Sequence, residues 1–310
     1  MNPHLSIVVP VYNEEQVIPE LYQRLKSVAG KINLSYEIIF INDGSKDQTL
    51  NNLKKVCSHD NHAYYINFSR NFGHQIAVCA GLDYARGEKV AIIDGDLQDP
   101  PELIEAMYNK SLEGFDVVYA KRRQRKGETL FKKASARLFY IILRKLTKVD
   151  IPLDTGDFRV VDRKVVDALK KMPEQNKFLR GQIAWLGFKS TAVEFDRDER
   201  KYGKSGYPLS KMLKFALDGI TAFSDKPLVL VTRLGLWVSF LSLLVIVYAL
   251  YSYFILERTI TGWTSMIISS MFIGGIQLLS IGIIGEYISR INSDVRKRPL
   301  YILDGGKLPD

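Results

Sequence analysis

The residues in this chain best placed to do chemistry are two carboxylates one residue apart. Asp94, Gly95 and Asp96 follow the apolar run Val90–Ile93. Such a pair at a strand end can bind a hard divalent cation, Mg²⁺ or Mn²⁺. A cation held there can bridge a diphosphate and stabilise it as a leaving group. On its own an Asp-x-Asp pair is a common pattern, but here Leu97, Gln98, Asp99, Pro100, Pro101 and Glu102 continue it. Three more polar clusters close apolar runs: Pro10, Tyr12, Asn13 and Glu14; Asn42, Asp43, Gly44 and Ser45; Ser69, Arg70 and Asn71. Turn chemistry explains Asn, Asp and Gly one at a time. It does not explain a charged or aromatic group in every turn. Ligands of open parallel sheets bind outside the carboxyl ends of the strands, so the four clusters read as one site. The first turn lacks G-x-G-x-x-G, and no G-x-x-x-x-G-K-[ST] occurs, which argues against a dinucleotide dehydrogenase and a P-loop NTPase.

Alternating elements must position these clusters. Strand signals at Leu5–Val11, Tyr36–Ile41, Ala63–Phe68, Val90–Ile93 and Asp116–Ala120 alternate with helical spacing at Glu15–Ala29, from Ser45 through Cys57, at Gln75–Ala85 and at Pro101–Glu113. Ser45 and Gln48 form a capping-box pattern. The alternation predicts an α/β fold, a mainly parallel sheet with helices on both faces. Beyond it, Thr129–Lys148 reads as a basic amphipathic helix, Val160–Lys171 and Phe178–Leu186 as helices, and Lys189–Phe195 as a strand. Arg197–Pro208 reads as a charged loop and Ser210–Phe223 as a second amphipathic stretch. The residues after Ile291 read as a loose extension.

Two uncharged stretches, Leu234–Leu256 and Trp263–Gly285, are each about long enough to cross a hydrocarbon core of roughly 30 Å. Lys211, Lys214, Lys226 and Arg233 precede the first, and Arg290, Arg296, Lys297 and Arg298 follow the second, which places both flanks in the cytoplasm. The expected organisation is a catalytic domain over 1–209, a juxtamembrane segment over 210–226, a two-helix hairpin over 227–290 and a cytoplasmic tail over 291–310. The 310 residues carry a net charge of +9, which suits anionic lipid or phosphorylated substrates. The basic residues cluster near the membrane side, which disfavours nucleic acid as a partner. Cys57 and Cys79 belong to no metal-ligand cluster or disulfide framework.

The runs IVVPVYNE (7–14), NDGS (42–45), NFSRNFGH (67–74) and DGDLQDPP (94–101) resemble inverting GT-A-type glycosyltransferases of the dolichyl-phosphate mannose synthase class. DTGDFR (154–159) and the two C-terminal apolar stretches are similar to the bacterial branch, which includes bactoprenol glucosyltransferases. The resemblance implies that Pro10, Tyr12, Glu14 and Asp43 hold the base and ribose. It places Asp94, Asp96 and Gln98 at a metal and diphosphate site, with Arg122 beside the phosphates. Arg200, Gly203 and Ser205 match a loop that closes over phosphate. Some relatives carry an arginine near the start of the 129–148 helix; here Lys132, Lys133 and Ser135 lie in that region as candidates for the acceptor phosphate. Asp157 is open between binding sugar hydroxyls, orienting the acceptor, acting as base, and pairing with Arg159.

These readings lead to an enzyme that moves a hexose, UDP-glucose being the first choice of donor, onto polyprenyl phosphate at a bilayer surface. The expected cofactor is Mg²⁺ or Mn²⁺. The expected partners are the lipid bilayer, a separate flippase and a possible homo-oligomer. Two rivals are a processive polysaccharide synthase, whose Q-x-x-R-W motif is missing, and a non-catalytic membrane-tethered scaffold.

Overall fold

A computed structural model describes residues 3–123, 149, 152, 155–196, 219–255 and 262–309. The elements are β1 (Leu5–Val11), α1 (Ile18–Ile32), β2 (Tyr36–Asn42), α2 (Thr49–Ser58), β3 (Ala63–Phe68), α3 (His74–Tyr84), β4 (Lys89–Ile92) and α4 (Leu103–Leu112). β5 (Val117–Arg122), β6 (Thr155–Asp162), α5 (Arg163–Lys170), α6 (Leu179–Trp185) and β7 (Ser190–Phe195) follow. Last come α7 (Lys226–Phe254), α8 (Trp263–Arg296) and β8 (Leu303–Lys307).

The strands form one sheet in the order β7-β5-β6-β4-β1-β2-β3-β8. β1 pairs in parallel with β2 and β4, β2 with β3, and β5 with β7. β6 runs antiparallel between β4 and β5, and β8 runs antiparallel to β3. The expected α/β class and the helix-covered, mainly parallel sheet are therefore present. Every residue of β1 is buried, as a strand covered on both faces requires. Ile7 and Val9 belong to the core under α1, α2 and α4, and Val8 to the core under α3, α5 and α6.

The chain passes from β1 outward to β2 and β3, then returns through α3 to β4 on the other side of β1. That reversal opens a crevice at the carboxyl end of β1, between the clusters after β2 and after β4.

Three expectations need correction. Val160–Asp162 is strand, and the helix begins only at Arg163. An apolar run of this length suits either periodicity, and pairing with β4 and β5 decides for the strand. Ser45 does not cap α2, which starts at Thr49. The Ser45 hydroxyl instead accepts from the Asn13 N–H at 2.9 Å, and Asp47 accepts from the Thr49 N–H at 3.0 Å. The residues after Ile291 are not loose. α8 runs on to Arg296, and β8 joins the sheet edge, where the Ser69 N–H donates to the Ile302 carbonyl. Tyr301 stacks on Phe68 at 5.1 Å. The Lys307 ammonium donates to the carbonyls of Cys57 and Asp60, each at 2.7 Å.

α7 and α8 are long and apolar enough to cross a membrane, and none of their most apolar stretches is buried inside the protein. The 34 residues of α8 reach about 50 Å at about 1.5 Å per residue, well beyond a hydrocarbon core of about 30 Å. Cys57 and Cys79 are buried and free. The helix expected at 129–148, the loop 197–208 and most of the stretch 210–223 lie outside the described residues.

Removal of residues 299–310 is expected to raise amide hydrogen exchange within residues 63–68, because β3 then becomes a sheet edge. Exchange unchanged from the full chain would mean that β8 does not hold that edge in solution.

Candidate active site

The turn after β4 is shaped by close approach. A side chain at Gly95 would lie 2.6 Å from Val11 Cγ1 and 3.0 Å from the Pro10 carbonyl, so glycine alone lets this turn press against the end of β1. Asp96 bends back to accept from the Gln98 N–H at 3.1 Å, and Leu97 takes φ 55°. Asp94 is thereby set at the crevice. Its Oδ1 is buried without a hydrogen-bond partner, 3.4 Å from His74 Nε2.

Asp157 comes to the same place because β6 is antiparallel. The start of β6 lies at the edge where β4 ends, with Ile92 opposite Arg159. Asp157 is surrounded by cations and donors. Arg180 Nε donates to Oδ1 at 2.7 Å and its Nη2 to Oδ2 at 3.2 Å. Arg159 Nη2 donates to Oδ1 at 3.3 Å, Gln75 Nε2 to Oδ2 at 3.3 Å, and His74 Nε2 lies 3.2 Å from Oδ2. Arg159 is itself fully buried and donates to the carbonyls of Gly156 and Asp157.

The electrostatics follow from this packing. Burial opposes ionisation of Asp157, but Arg180, His74 and Arg159 outweigh it and hold the carboxyl well below the usual range. Burial also works against a charged imidazole at His74, yet Asp94 and Asp157 push its pKa up to about 9. Asp94 is pushed up to about 6 by burial and by repulsion from Asp157, Asp96 and Asp99, with His74 pulling the other way.

The clusters after β1 and β2 are laced together. Besides the Asn13–Ser45 bond, the Lys46 N–H donates to Asn13 Oδ1 at 2.9 Å, the Glu14 N–H to the Thr49 hydroxyl at 2.9 Å, and the Gln48 N–H to Glu15 Oε2 at 2.8 Å. Tyr12 stands exposed beside this lacing, and Pro10 is buried. Asp43 is buried, and its two oxygens accept from the N–H groups of Phe72 and Gly73 at 2.7 and 3.0 Å. It therefore holds the 70–73 turn. Gly44, at φ +66°, lies against the Arg70–Asn71 backbone. Arg122 at the end of β5 reaches Asp99, which is buried, at 3.5 Å.

The structure thus gathers Asp94, Asp96, Gln98, Asp157 and Arg122 at one edge, with Pro10, Tyr12, Glu14 and Asp43 across the crevice. Arg200, Ser205, Lys132, Lys133 and Ser135 lie outside the described residues. His74 and Arg180 are residues that sequence reasoning gave no role, while Arg159 entered it only as a partner of Asp157, a pair the structure makes at 3.3 Å. Arg159 had one available signal, since a guanidinium inside an apolar strand needs a buried partner. Arg180 had none.

Among the described residues no three His, Cys, Asp or Glu side chains surround a common metal position. The donor set instead fits a cation that is held by Asp94 and Asp96 and completes its coordination with ligand and water oxygens, the habit of Mg²⁺. The orphaned Oδ1 of Asp94 and the crowding of carboxylates around it suit a positive guest.

Residues 6–170 match the family described as Glycosyl transferase family 2. An uncharacterized glycosyltransferase of Bacillus subtilis (strain 168), YkcC, is 53% identical over 305 residues, covering 98% of this chain and 94% of the relative. The SfII prophage-derived bactoprenol glucosyl transferase of Shigella flexneri is 40% identical over 299 residues, covering 96% of this chain and 97% of the relative.

Asp157→Asn should destabilise the protein by about 3–5 kcal/mol, since it leaves two guanidinium groups without their buried counter-charge. The folded-state pKa of Asp157 is depressed, so its contribution is complete above the unfolded value of about 3.9 and is lost as pH falls through the folded value. The stability gap between wild type and variant is therefore expected to hold from about pH 8 down to about pH 5 and to close only below about pH 4. Equal denaturation midpoints at neutral pH would show that the cluster does not depend on this charge.

Proposed function

We propose, for a chain that belongs to glycosyl transferase family 2, that it transfers glucose from UDP-glucose to a polyprenyl phosphate such as undecaprenyl phosphate. The observation that supports this reading is a match that runs from end to end. A relative named bactoprenol glucosyl transferase aligns with 96% of the chain, through the strand-end site and the apolar helices alike.

In this reading the donor lies in the crevice at the end of β1. Tyr12, Pro10, Glu14 and Asp43 hold the base and ribose, and Asp43 also shapes the wall through the 70–73 turn. Asp94 and Asp96, with Gln98, hold Mg²⁺ or Mn²⁺, and the bound ion supplies positive charge for the departing diphosphate. Arg122 lies beside it. Arg200 and Ser205 close over phosphate, and Lys132, Lys133 and Ser135 meet the acceptor.

The acceptor needs little help to become a nucleophile. The second pKa of a phosphate monoester is about 6, so its oxygen is already largely anionic at neutral pH. A useful general base has a pKa near the working pH. Asp157 is held far below that by Arg180 and Arg159, so its work is orientation of sugar or of His74 rather than proton removal. One displacement at C1 inverts the anomeric configuration.

The anchor follows from the acceptor. Each buried CH₂ of a lipid chain is worth about 0.8 kcal/mol, so the polyprenyl chain stays in the bilayer and the enzyme must come to it. We place the catalytic domain (1–209), the juxtamembrane segment (210–226) and the tail (291–310) on the cytoplasmic side, joined by the spanning hairpin (227–290). A separate flippase moves the product.

Membranes bearing the protein, offered a panel of labelled nucleotide sugars and undecaprenyl phosphate, are expected to consume UDP-glucose and form a β-linked polyprenyl monophosphate glucose. An α-linked product would overturn the single displacement, and transfer from a different donor alone would reassign the sugar. Asp94→Asn and Asp96→Asn should each lower transfer by about 100-fold or more, and excess EDTA should do the same to wild type. Full activity in chelator would remove the cation from the scheme.

A further inference from the structure

One short helix lies between the carboxylate cluster and the residues that lead into the apolar helices. On its site-facing side α6 supplies Arg180, whose guanidinium grips Asp157 through two bonds of 2.7 and 3.2 Å. The Leu179 N–H donates to Gln75 Oε1 at 3.0 Å, and Gln75 donates in turn to Asp157. His74 then bridges Asp157 and Asp94 at 3.2 and 3.4 Å.

A neighbouring side of α6 meets residues 219–223, which lead into α7. Phe178, just before α6, packs edge-on against Phe223 with ring centroids 5.9 Å apart. Phe223 ends the helical residues 219–223, three residues before α7 begins. A side chain at Gly181 would lie 2.4 Å from the Phe223 ring, so that ring rests directly on the α6 backbone. Val149, Ala184 and Ile220 complete the contact. From α8, Asp294 accepts from the Gln175 N–H at 2.8 Å, and the Tyr287 hydroxyl donates to the Ser224 carbonyl at 2.6 Å. The second bond ties the approach to α7 to the far end of α8.

We infer that Arg180 is a positioning residue for the Asp94–Asp157 site, and that the ends of the two apolar helices set its position through Phe223 and α6. A guanidinium bound by a carboxylate through two bonds is a rigid fork, so a displacement of α6 passes to Asp157 rather than being absorbed by a flexible stem. Misplacing reacting groups by about 1 Å can cost about 100-fold in rate. The inference rests on the glucosyl-transfer reading for its consequence: the site is correctly assembled only when the hairpin is seated. It rests on packing alone for its geometry.

The test uses the full chain in nanodiscs with ¹³C-labelled histidine. The chain has four histidines, and His74→Gln assigns the signal of interest. Phe223→Ala and Arg180→Ala are each expected to move the His74 imidazole signal. They should lower kcat by about 10-fold and about 100-fold while the donor KM changes by less than about twofold. The double variant should match Arg180→Ala alone, because a residue that acts through another gives no further loss once that other is gone. Arg180→Lys should recover part of the rate. Asp294→Asn, which keeps an acceptor for Gln175, should leave the His74 signal in place, whereas Asp294→Ala should move it, so the junction is probed even where Phe223→Ala fails to fold. A His74 signal unmoved by both Phe223→Ala and Asp294→Ala would overturn the inference, as would a double variant whose loss is the full product of the single losses. Should the wild type fail to glucosylate polyprenyl phosphate, the functional reading falls, while the His74 signal still decides this one.

Discussion

Four carboxylates, Asp94, Asp96, Asp99 and Asp157, converge at one edge of the sheet, and burial together with the other three opposes ionisation of Asp94. The neighbouring structure is organised around that repulsion. Asp157 is neutralised by Arg180 and Arg159, and Asp99 faces Arg122. His74 stands between Asp157 and Asp94. At the crevice end of the cluster lie Asp94, with His74 at 3.4 Å, and Asp96, the pair proposed to hold a cation.

The same constraint explains why the sheet is mixed. A wholly parallel sheet would carry the 155–159 segment away from the carboxyl ends of its neighbours. Inserting β6 antiparallel between β4 and β5 brings the start of that strand, with Asp157 and Arg159, to the edge where Asp94 lies. β8 repeats the device at the other margin. Its Asp304 accepts from Asn67, whose own carbonyl accepts from Asn42, so the chain beyond the apolar hairpin is fastened beside the turn that Asp43 holds. The hairpin is thus bound to the catalytic unit before α7, through Phe223, and after α8, through β8. An enzyme whose acceptor stays in a bilayer has a use for such double attachment, because it limits how the site tilts against the surface.

Much of this was legible in the chain itself. The buried strand Leu5–Val11, the Asp94-Gly95-Asp96 turn, the alternation through Arg122 and the two long apolar runs depend on local composition and periodicity, which a sequence displays directly. Tertiary pairing decided the rest. Val160–Asp162 carries apolar spacing that suits either a helix or a strand, and only its neighbours β4 and β5 made it a strand. The residues around Asp304 look like a polar, glycine-containing tail until β3 presents an open edge. Asp43 reads as a ligand-binding acid, and that both its oxygens also hold the 70–73 turn is visible only once that turn folds over it. Arg180 stands 23 residues from Asp157 with no motif around it, and its role exists only because α6 packs beside the start of β6. Local periodicity reports which face of a segment is apolar; which charges meet is settled by strand order and direction, and those depend on contacts between residues far apart in the chain.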